Sequence, residues 1–246
     1  MSKTLILIPS RMSATRLPGK PLLKINGLSI ITHVYKKALE TNIGEVFVAT
    51  EDKEILEDVK LNGGKGIITS RKHKTGTDRI FEAYNKLEIS DVEYIVNLQG
   101  DEPIIDCYDI KKLHNHIINN SLDMGTLACK ISQEHKYNDE NVVKVKAKDQ
   151  LKDNKIVKAD NFFRKLESQN KKNIYHHIGI YLYKVSILEK ITSLNQTENE
   201  KIKRLEQLRA LENNININLV LAKSSPIGID TIEDYKRVKN LLETKN

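Results

Sequence analysis

The sequence predicts an α/β fold, with a mostly parallel central sheet covered by helices and a smaller lobe inserted in its second half. Three observations predict it. Short, nearly all-apolar runs such as TLILIP (Thr4 to Pro9) and YIVNL (Tyr94 to Leu98) have the composition of strands buried on both faces of a sheet. Between such runs, apolar residues recur at helical spacing, so strand and helix alternate. After about residue 125 the pattern changes to the apolar/polar alternation of half-exposed antiparallel strands. The 246 residues suffice for one large core, or one core with a small appendage. The expectation is therefore one domain over 1–246, with 125–215 as the smaller lobe.

Thr4 to Pro9 is the first strand. Ile30, Ile31, Val34, Tyr35, Ala38 and Leu39 lie at helical spacing and predict the first long helix, followed by Gly44. Val46 to Ala49 reads as the second strand, Glu54 to Val59 as a short helix and Gly66 to Thr69 as the third strand. Ile80, Phe81, Tyr84 and Leu87 form the next helical stripe, ahead of the strand Tyr94 to Leu98. That βαβαβαβ rhythm calls for parallel pairing. Later, VVKVKAK (Val142 to Lys148) alternates, and YHHIGIYLY (Tyr175 to Tyr183) is aromatic and β-prone. Leu205, Leu208 and Leu211 predict a helix over Glu200 to Glu212, Asn218 to Ala222 a strand, and Ile232 to Leu242 a closing helix. Thr231 with Asp234 three residues on has the form of a capping box, which starts that helix just after Asp230.

Composition narrows the function classes. Hydrophobic residues at 39% and charged residues at 30% describe a soluble globular chain, and no apolar run approaches the roughly 20 residues that cross a bilayer. Met1 to Pro9 is too short for a secretory signal, so a cytoplasmic protein is expected. Cys107 and Cys129 form no CxxC or metal-ligand pattern and read as two free thiols in a reducing compartment. The net charge of +7 would suit nucleic acid, a membrane surface or a phosphorylated small molecule. The lysines are scattered, however, aromatic residues are only 5%, and Trp is absent, which leaves a poor base-stacking platform. Neither nucleic acid nor membrane insertion is expected. The charge matters where a fold would focus it.

One such place is RMSATRLPGKP (Arg11 to Pro21), directly after the first strand. Open α/β sheets bind ligands beyond the carboxyl ends of their strands. There Gly19 permits close backbone approach, Pro18 and Pro21 restrict the loop, and Arg16 and Lys20 supply the planar fork and the point charge that neutralise phosphates. A solvated basic surface loop is the bland alternative. The loop is neither a Walker A motif nor a dinucleotide turn. NLQGDEP (Asn97 to Pro103) ends a second strand at the same edge with acids, of which Asp101, following Gly100, is the better candidate for holding Mg²⁺ against phosphate oxygens. GIDTIED (Gly228 to Asp234) places Asp230 at an expected strand-to-helix junction, as a second carboxylate for that ion or merely a helix cap.

These segments carry a resemblance. IPSRMSATRLPGKPL, HKTGTDR (His73 to Arg79), NLQGDEP, HHIGIYLY (His176 to Tyr183), LEQLRAL (Leu205 to Leu211) and GIDTIED occur in this order. Together they resemble the sugar-acid cytidylyltransferases over essentially the whole chain, and the HxGIY and LEQLR segments point to those acting on 3-deoxy-D-manno-octulosonate (Kdo). The resemblance implies a Rossmann-like α/β/α sandwich of the nucleotide-diphospho-sugar transferase type, acting as a homodimer in the cytoplasm. It implies that CTP and Kdo give CMP-Kdo and pyrophosphate for lipopolysaccharide biosynthesis, with Mg²⁺ held by Asp101 and Asp230 and the triphosphate by Arg16 and Lys20. Ser10, Arg11, Thr75, Gly76, Arg79 and Gln99 match the nucleotide positions. His177, Tyr181, Glu206 and Gln207 match the sugar positions.

The chain departs from the family in two places. Where the family has F-S-R-x-x-I-P, this chain has FFRKLE, so that Arg164 is the expected guanidinium for the Kdo carboxylate without the I-P pair. Lys203 stands where a second acid usually precedes LEQLR. Both leave room for a modified sugar acid, such as 8-amino-Kdo, or for another sugar acid. Strand geometry points His176 to the face opposite His177.

Overall fold

The structure, a computed structural model, describes residues 3–13, 16–166, 170–223 and 225–244. In chain order its elements are β1 (Lys3–Ser10), β2 (Lys24–Ile25), β3 (Leu28–Ser29), α1 (Ile30–Glu40), β4 (Glu45–Thr50), α2 (Lys53–Leu61), β5 (Gly66–Ile68), α3 (Gly76–Leu87), β6 (Val92–Asn97), α4 (Cys107–Asn119), β7 (Met124–Cys129), β8 (Lys144–Ala147), β9 (Val157–Phe163), β10 (Ile174–Lys184), α5 (Val185–Ser193), α6 (Glu198–Lys203), α7 (Gln207–Glu212), β11 (Asn218–Leu221) and α8 (Ile232–Glu243). They fall into two compact units. The first is Met1–Ile110 with Pro226–Asn246; the second, Lys111–Ser225, reaches beyond 125–215 at both ends.

In the first unit, β5-β4-β1-β6 pair in that order and all in parallel. Leu5, Ile6, Leu7 and Ile8 of β1 are at most 1% exposed, as its unbroken apolar run requires of a strand covered on both faces. α1 and α3 pack against β1 and β4, and α2 against β4 and β5. α1 is N-capped by Ser29 and α3 by Thr75, each side chain accepting the amide three residues on. Gly44 lies where a Cβ would sit 2.0 Å from the Thr4 carbonyl oxygen, so only glycine lets the chain enter β4 beside β1.

A satellite core joins the two ends of the chain within this unit. Ile25, Ile30, Ile229 and Val238 are fully buried, with Leu17, Leu23, Ile104, Ile227, Tyr235 and Leu242 against them. Burial of each large apolar side chain is worth roughly 1.5–3 kcal/mol. The β2–β3 hairpin, turned by Asn26 and Gly27 with φ of 48° and 78°, provides the platform. α8 docks on it, with the Tyr235 hydroxyl donating to the Lys24 carbonyl at 2.7 Å. The expected capping box is present: the Thr231 hydroxyl accepts the Asp234 amide, and the Asp234 carboxylate accepts the Thr231 amide.

The second unit is mostly antiparallel. Its strands run β10-β7-β11-β9-β8, and β8 pairs again with β10, so the ladder closes on itself. Only β7–β11 is parallel among its described pairings. The helix expected over Glu200 to Glu212 is instead two, α6 and α7, because Arg204 takes a left-handed conformation (φ 53°, ψ 52°) that ends α6. No strand leads directly into Gly228: β11 ends at Leu221, and Asp230 lies on irregular chain just before α8, not at a strand-to-helix junction. Cys107 and Cys129 are free thiols. No helix among the described residues is long and apolar enough to cross a membrane.

Candidate active site

The loop after β1 folds back on itself, with the Gly19 amide donating to the Met12 carbonyl at 3.3 Å. Gly19 has φ +71°, and Pro21 opens the 3-10 turn Lys20–Leu22. Leu17 and Leu23, anchored in the satellite core, bracket the turn and fix where Lys20 emerges. β6 is the parallel neighbour of β1, so QGD leaves the sheet at the same edge. Gly100 makes that possible, since a Cβ there would lie 2.9 Å from the Pro9 carbonyl oxygen. The Ile229 amide then donates to the Asp101 carbonyl at 2.9 Å, which brings Asp230 alongside.

The side chains converge as this backbone dictates. Lys20 Nζ lies 2.8 Å from Asp101 Oδ2 and 3.2 Å from Asp230 Oδ1, and Arg16 Nη2 lies 2.9 Å from Asp230 Oδ2. The Lys20 side chain is 12% exposed; those of Asp101 and Asp230 are 30% and 47%. Burial alone would lower the Lys20 pKa, but Asp101 and Asp230 together hold it above its ordinary value. Glu102 stands beside them with Oε2 buried and unpartnered, its pKa pushed up to about 8 by burial and then by the charges of Asp101 and Asp230. Among the described residues no group of three or more His, Cys, Asp or Glu could by itself hold a metal. Two hard carboxylates aimed at one point do fit Mg²⁺ completed by phosphate oxygens and water.

The other expected nucleotide residues ring the same edge. Ser10 is buried at the end of β1, Arg11 is exposed, and Gln99 is half-buried just past β6. Thr75 and Gly76 begin α3, where the helix dipole favours an anion. Arg79 is placed differently. It is 3% exposed, and its guanidinium donates to the Thr69 hydroxyl at 2.7 Å and pairs with Glu51, which ties down the loop after β5. Asp52, which the sequence reading passed over, accepts the Met12 amide at 2.7 Å and braces the loop after β1. Glu51 and Asp52 follow β4 at the binding edge, the same signal that singled out Asp101.

The second unit gathers most of the expected sugar residues. Phe162, His177, Tyr181 and Tyr183 form a chain of ring contacts with centroids 5.0, 5.4 and 5.6 Å apart. A bulge in β10 between Ile178 and Tyr181 lets the Thr126 hydroxyl reach the Ile180 carbonyl at 2.7 Å. That hydroxyl's one proton being so used, His177 Nε2, 3.1 Å away, is assigned as donor to Thr126 and the Nδ1 lone pair is left available. Among the described residues the buried Tyr181 hydroxyl has no hydrogen-bond partner. His177 is buried while His176 is half-exposed, as strand alternation requires. Glu206 is exposed at the start of α7, and Gln207 is buried beside it. Arg164 is committed elsewhere: its guanidinium donates to the carbonyls of Lys203 (3.0 Å), Glu140 (3.0 Å) and Arg204 (3.3 Å).

Burial, then the neighbouring His176, lowers the His177 pKa to about 3. An unfolded histidine takes up its proton near about pH 6.5. As pH falls through that value toward 3, the unfolded state gains the proton first, and this residue costs stability. At neutral pH His177 is an uncharged hydrogen-bonding group. The pH profile of kcat/KM should therefore have the same shape in wild type and His177→Gln, at different heights. A limb near about pH 6.5 that disappears in the variant would contradict this.

Comparison with known proteins fits this arrangement. The profile of the family described as Cytidylyltransferase matches residues 5–217. A protein of Rhodopseudomonas palustris (strain BisB18) named 3-deoxy-manno-octulosonate cytidylyltransferase is 41% identical over 242 residues, covering 98% of each chain. One of the same name from Brucella ovis is 39% identical over 238 residues, covering 96% of this chain and 94% of its own. The solved structure of a CMP:2-keto-3-deoxy-manno-octonic acid synthetase complexed with CTP superposes with a TM-score of 0.88 at 34% identity, over 100% of both chains. An apo UDP-glucose pyrophosphorylase, 15% identical with a TM-score of 0.75 over 100% of this chain and 99% of its own, shares the mixed α/β nucleotidyltransferase fold.

Proposed function

The chain belongs to the cytidylyltransferase family, and from that premise we propose that it joins CTP to 3-deoxy-D-manno-octulosonate, giving CMP-Kdo and pyrophosphate. The observation that carries the site's chemistry is the meeting of Lys20 with Asp101 and Asp230 at the edge where β1 and β6 end. In the reaction the anomeric hydroxyl of the sugar acid attacks the α-phosphorus in line. The new bond is C–O–P, the α–β phosphoanhydride breaks, pyrophosphate leaves, and the hydroxyl proton goes to solvent. Such a transfer is governed by positioning and charge neutralisation.

Lys20 and Arg16 neutralise the triphosphate and then the departing pyrophosphate. Asp101 and Asp230 hold Mg²⁺, which when bound polarises the phosphoryl oxygens and makes the attacking hydroxyl more acidic. Ser10, Arg11, Thr75, Gly76 and Gln99 line the nucleotide's place, while Arg79 keeps the loop before α3 in position. His177, Tyr181, Glu206 and Gln207 of the second unit take the sugar acid, whose hydroxyls suit uncharged His177 and the unpartnered Tyr181 hydroxyl. Arg164 has three of its five N–H groups on backbone carbonyls and meets the sugar's carboxylate with the other two. The enzyme is a cytoplasmic homodimer in this reading, in keeping with its two free thiols.

A panel assay of pyrophosphate release tests substrate, nucleotide and metal together. CTP with Mg²⁺ is offered with Kdo, 8-amino-Kdo or N-acetylneuraminate, and Kdo is expected to turn over fastest. No turnover with Kdo overturns the reading, and preference for 8-amino-Kdo reassigns the sugar.

A further inference from the structure

Lys20 does more in this structure than wait for a phosphate. Its Nζ sits where the two carboxylates converge, 2.8 Å from one and 3.2 Å from the other, with only 12% of the side chain exposed. Those carboxylates are the pair assigned above to the cation, so this inference rests on that assignment. We propose that Lys20 is the protein's own occupant of the cation seat, so that a divalent cation enters only together with the nucleotide, whose phosphates draw the ammonium away.

The charges argue for it. Two cations, Lys20 and Arg16, already face two anions, Asp101 and Asp230, and the cluster is neutral before any ligand arrives. A divalent ion coming alone must break two ammonium–carboxylate contacts, then lie within a few ångströms of a displaced like charge that has no new partner. Only two protein carboxylates reward it, and no third metal-binding side chain joins them among the described residues. With a triphosphate, both deficits vanish. The phosphates supply the ion's remaining oxygens and give Lys20 a partner. Lysine's flexible stem suits the exchange better than a rigid guanidinium would. Metal-free nucleotide is disfavoured in turn, since moving Lys20 off uncovers two carboxylates beside the phosphates. Cation and nucleotide thus each raise the other's affinity, with Lys20 as the exchanged part.

The test uses Mn²⁺ as the probe, followed on the full-length, metal-stripped protein by water-proton relaxation enhancement, with no sugar acid and no turnover. Without nucleotide, Lys20→Met is expected to bind one Mn²⁺ at least about tenfold more tightly than wild type. Lys20→Gln, which keeps a polar end, repeats the measurement if the methionine disturbs the loop. Adding CTP is expected to bring wild-type Mn²⁺ into the protein-bound state. The gained site should vanish in Lys20→Met/Asp101→Asn. Wild type binding Mn²⁺ alone as tightly as Lys20→Met overturns the proposal, as does a gained site that survives in the double variant. Neither result depends on which sugar acid is used, so failure here and failure of the Kdo reading are separate events.

Discussion

Asp101→Asn is expected to lower kcat/KM on the order of 10²–10³-fold, the cost of losing one preorganised electrostatic group in a phosphoryl-transfer site, while leaving the protein folded. The amide has nearly the carboxylate's shape. Gly100 still packs against Pro9, and the backbone carbonyl at position 101 still accepts the Ile229 amide. What disappears is the negative charge. The lost contact to Lys20 is partly solvated, with side-chain exposures of 12% and 30%, so its contribution to stability is at most about 1 kcal/mol. Lys20 also keeps Asp230 as a partner. Steady-state kinetics at several Mg²⁺ concentrations, beside a thermal melt, separate the roles. A group that holds the cation gives low turnover, partly recovered at high Mg²⁺, with an unchanged melt. Full activity per folded molecule with a lowered melt would mean that Asp101 serves the fold alone.

Much of the first unit was legible because parallel strands buried on both faces write themselves as apolar runs: TLILIP, VFVA and YIVNL all became strands. The Asn26–Gly27 hairpin was overlooked although its dipeptide is a strong turn signal, and it proves to be the platform that brings α8 to the loop after β1. The second unit was harder to read. β9, VKADNFF, carries Asp160 and Asn161 exposed in mid-strand, and its edge-like polarity hides it. Nothing in LEQLRAL announces that Arg204 turns left-handed. In the site, position along the chain sufficed for Lys20 and Asp101, since loops following neighbouring parallel strands must meet. Asp230 follows no strand directly and comes alongside through the Ile229 amide bonded to the Asp101 carbonyl. Long arginines were another matter. Arg79 and Arg164 sit in the expected segments, but where a guanidinium ends depends on carbonyls and acids that only tertiary structure supplies, here Glu51 and the carbonyls at Glu140, Lys203 and Arg204.

Arg209, in the same LEQLR segment, takes that lesson furthest. Its guanidinium is 3% exposed and meets the 2%-exposed Glu200 through two hydrogen bonds, of 2.9 and 2.6 Å. Glu200→Ala removes the carboxylate that pairs with this buried cation, and breaking such a pair from one side costs about 3–5 kcal/mol. It also opens the capping box of α6, whose Thr197 amide the Glu200 carboxylate accepts, for about 1 kcal/mol more. A large drop in melting temperature and urea midpoint is the expected result. Arg209→Met/Glu200→Leu should regain much of the loss, because an apolar pair leaves no charge stranded. If the double variant is as unstable as Glu200→Ala, the pair is not the cause. The consequence reaches function through α7, which carries Gln207 at its start and Arg209 two residues on, with Glu206 just before it. Below its melting temperature, Glu200→Ala should therefore raise KM for the sugar acid while KM for CTP, whose proposed residues all lie in the first unit, stays where it was.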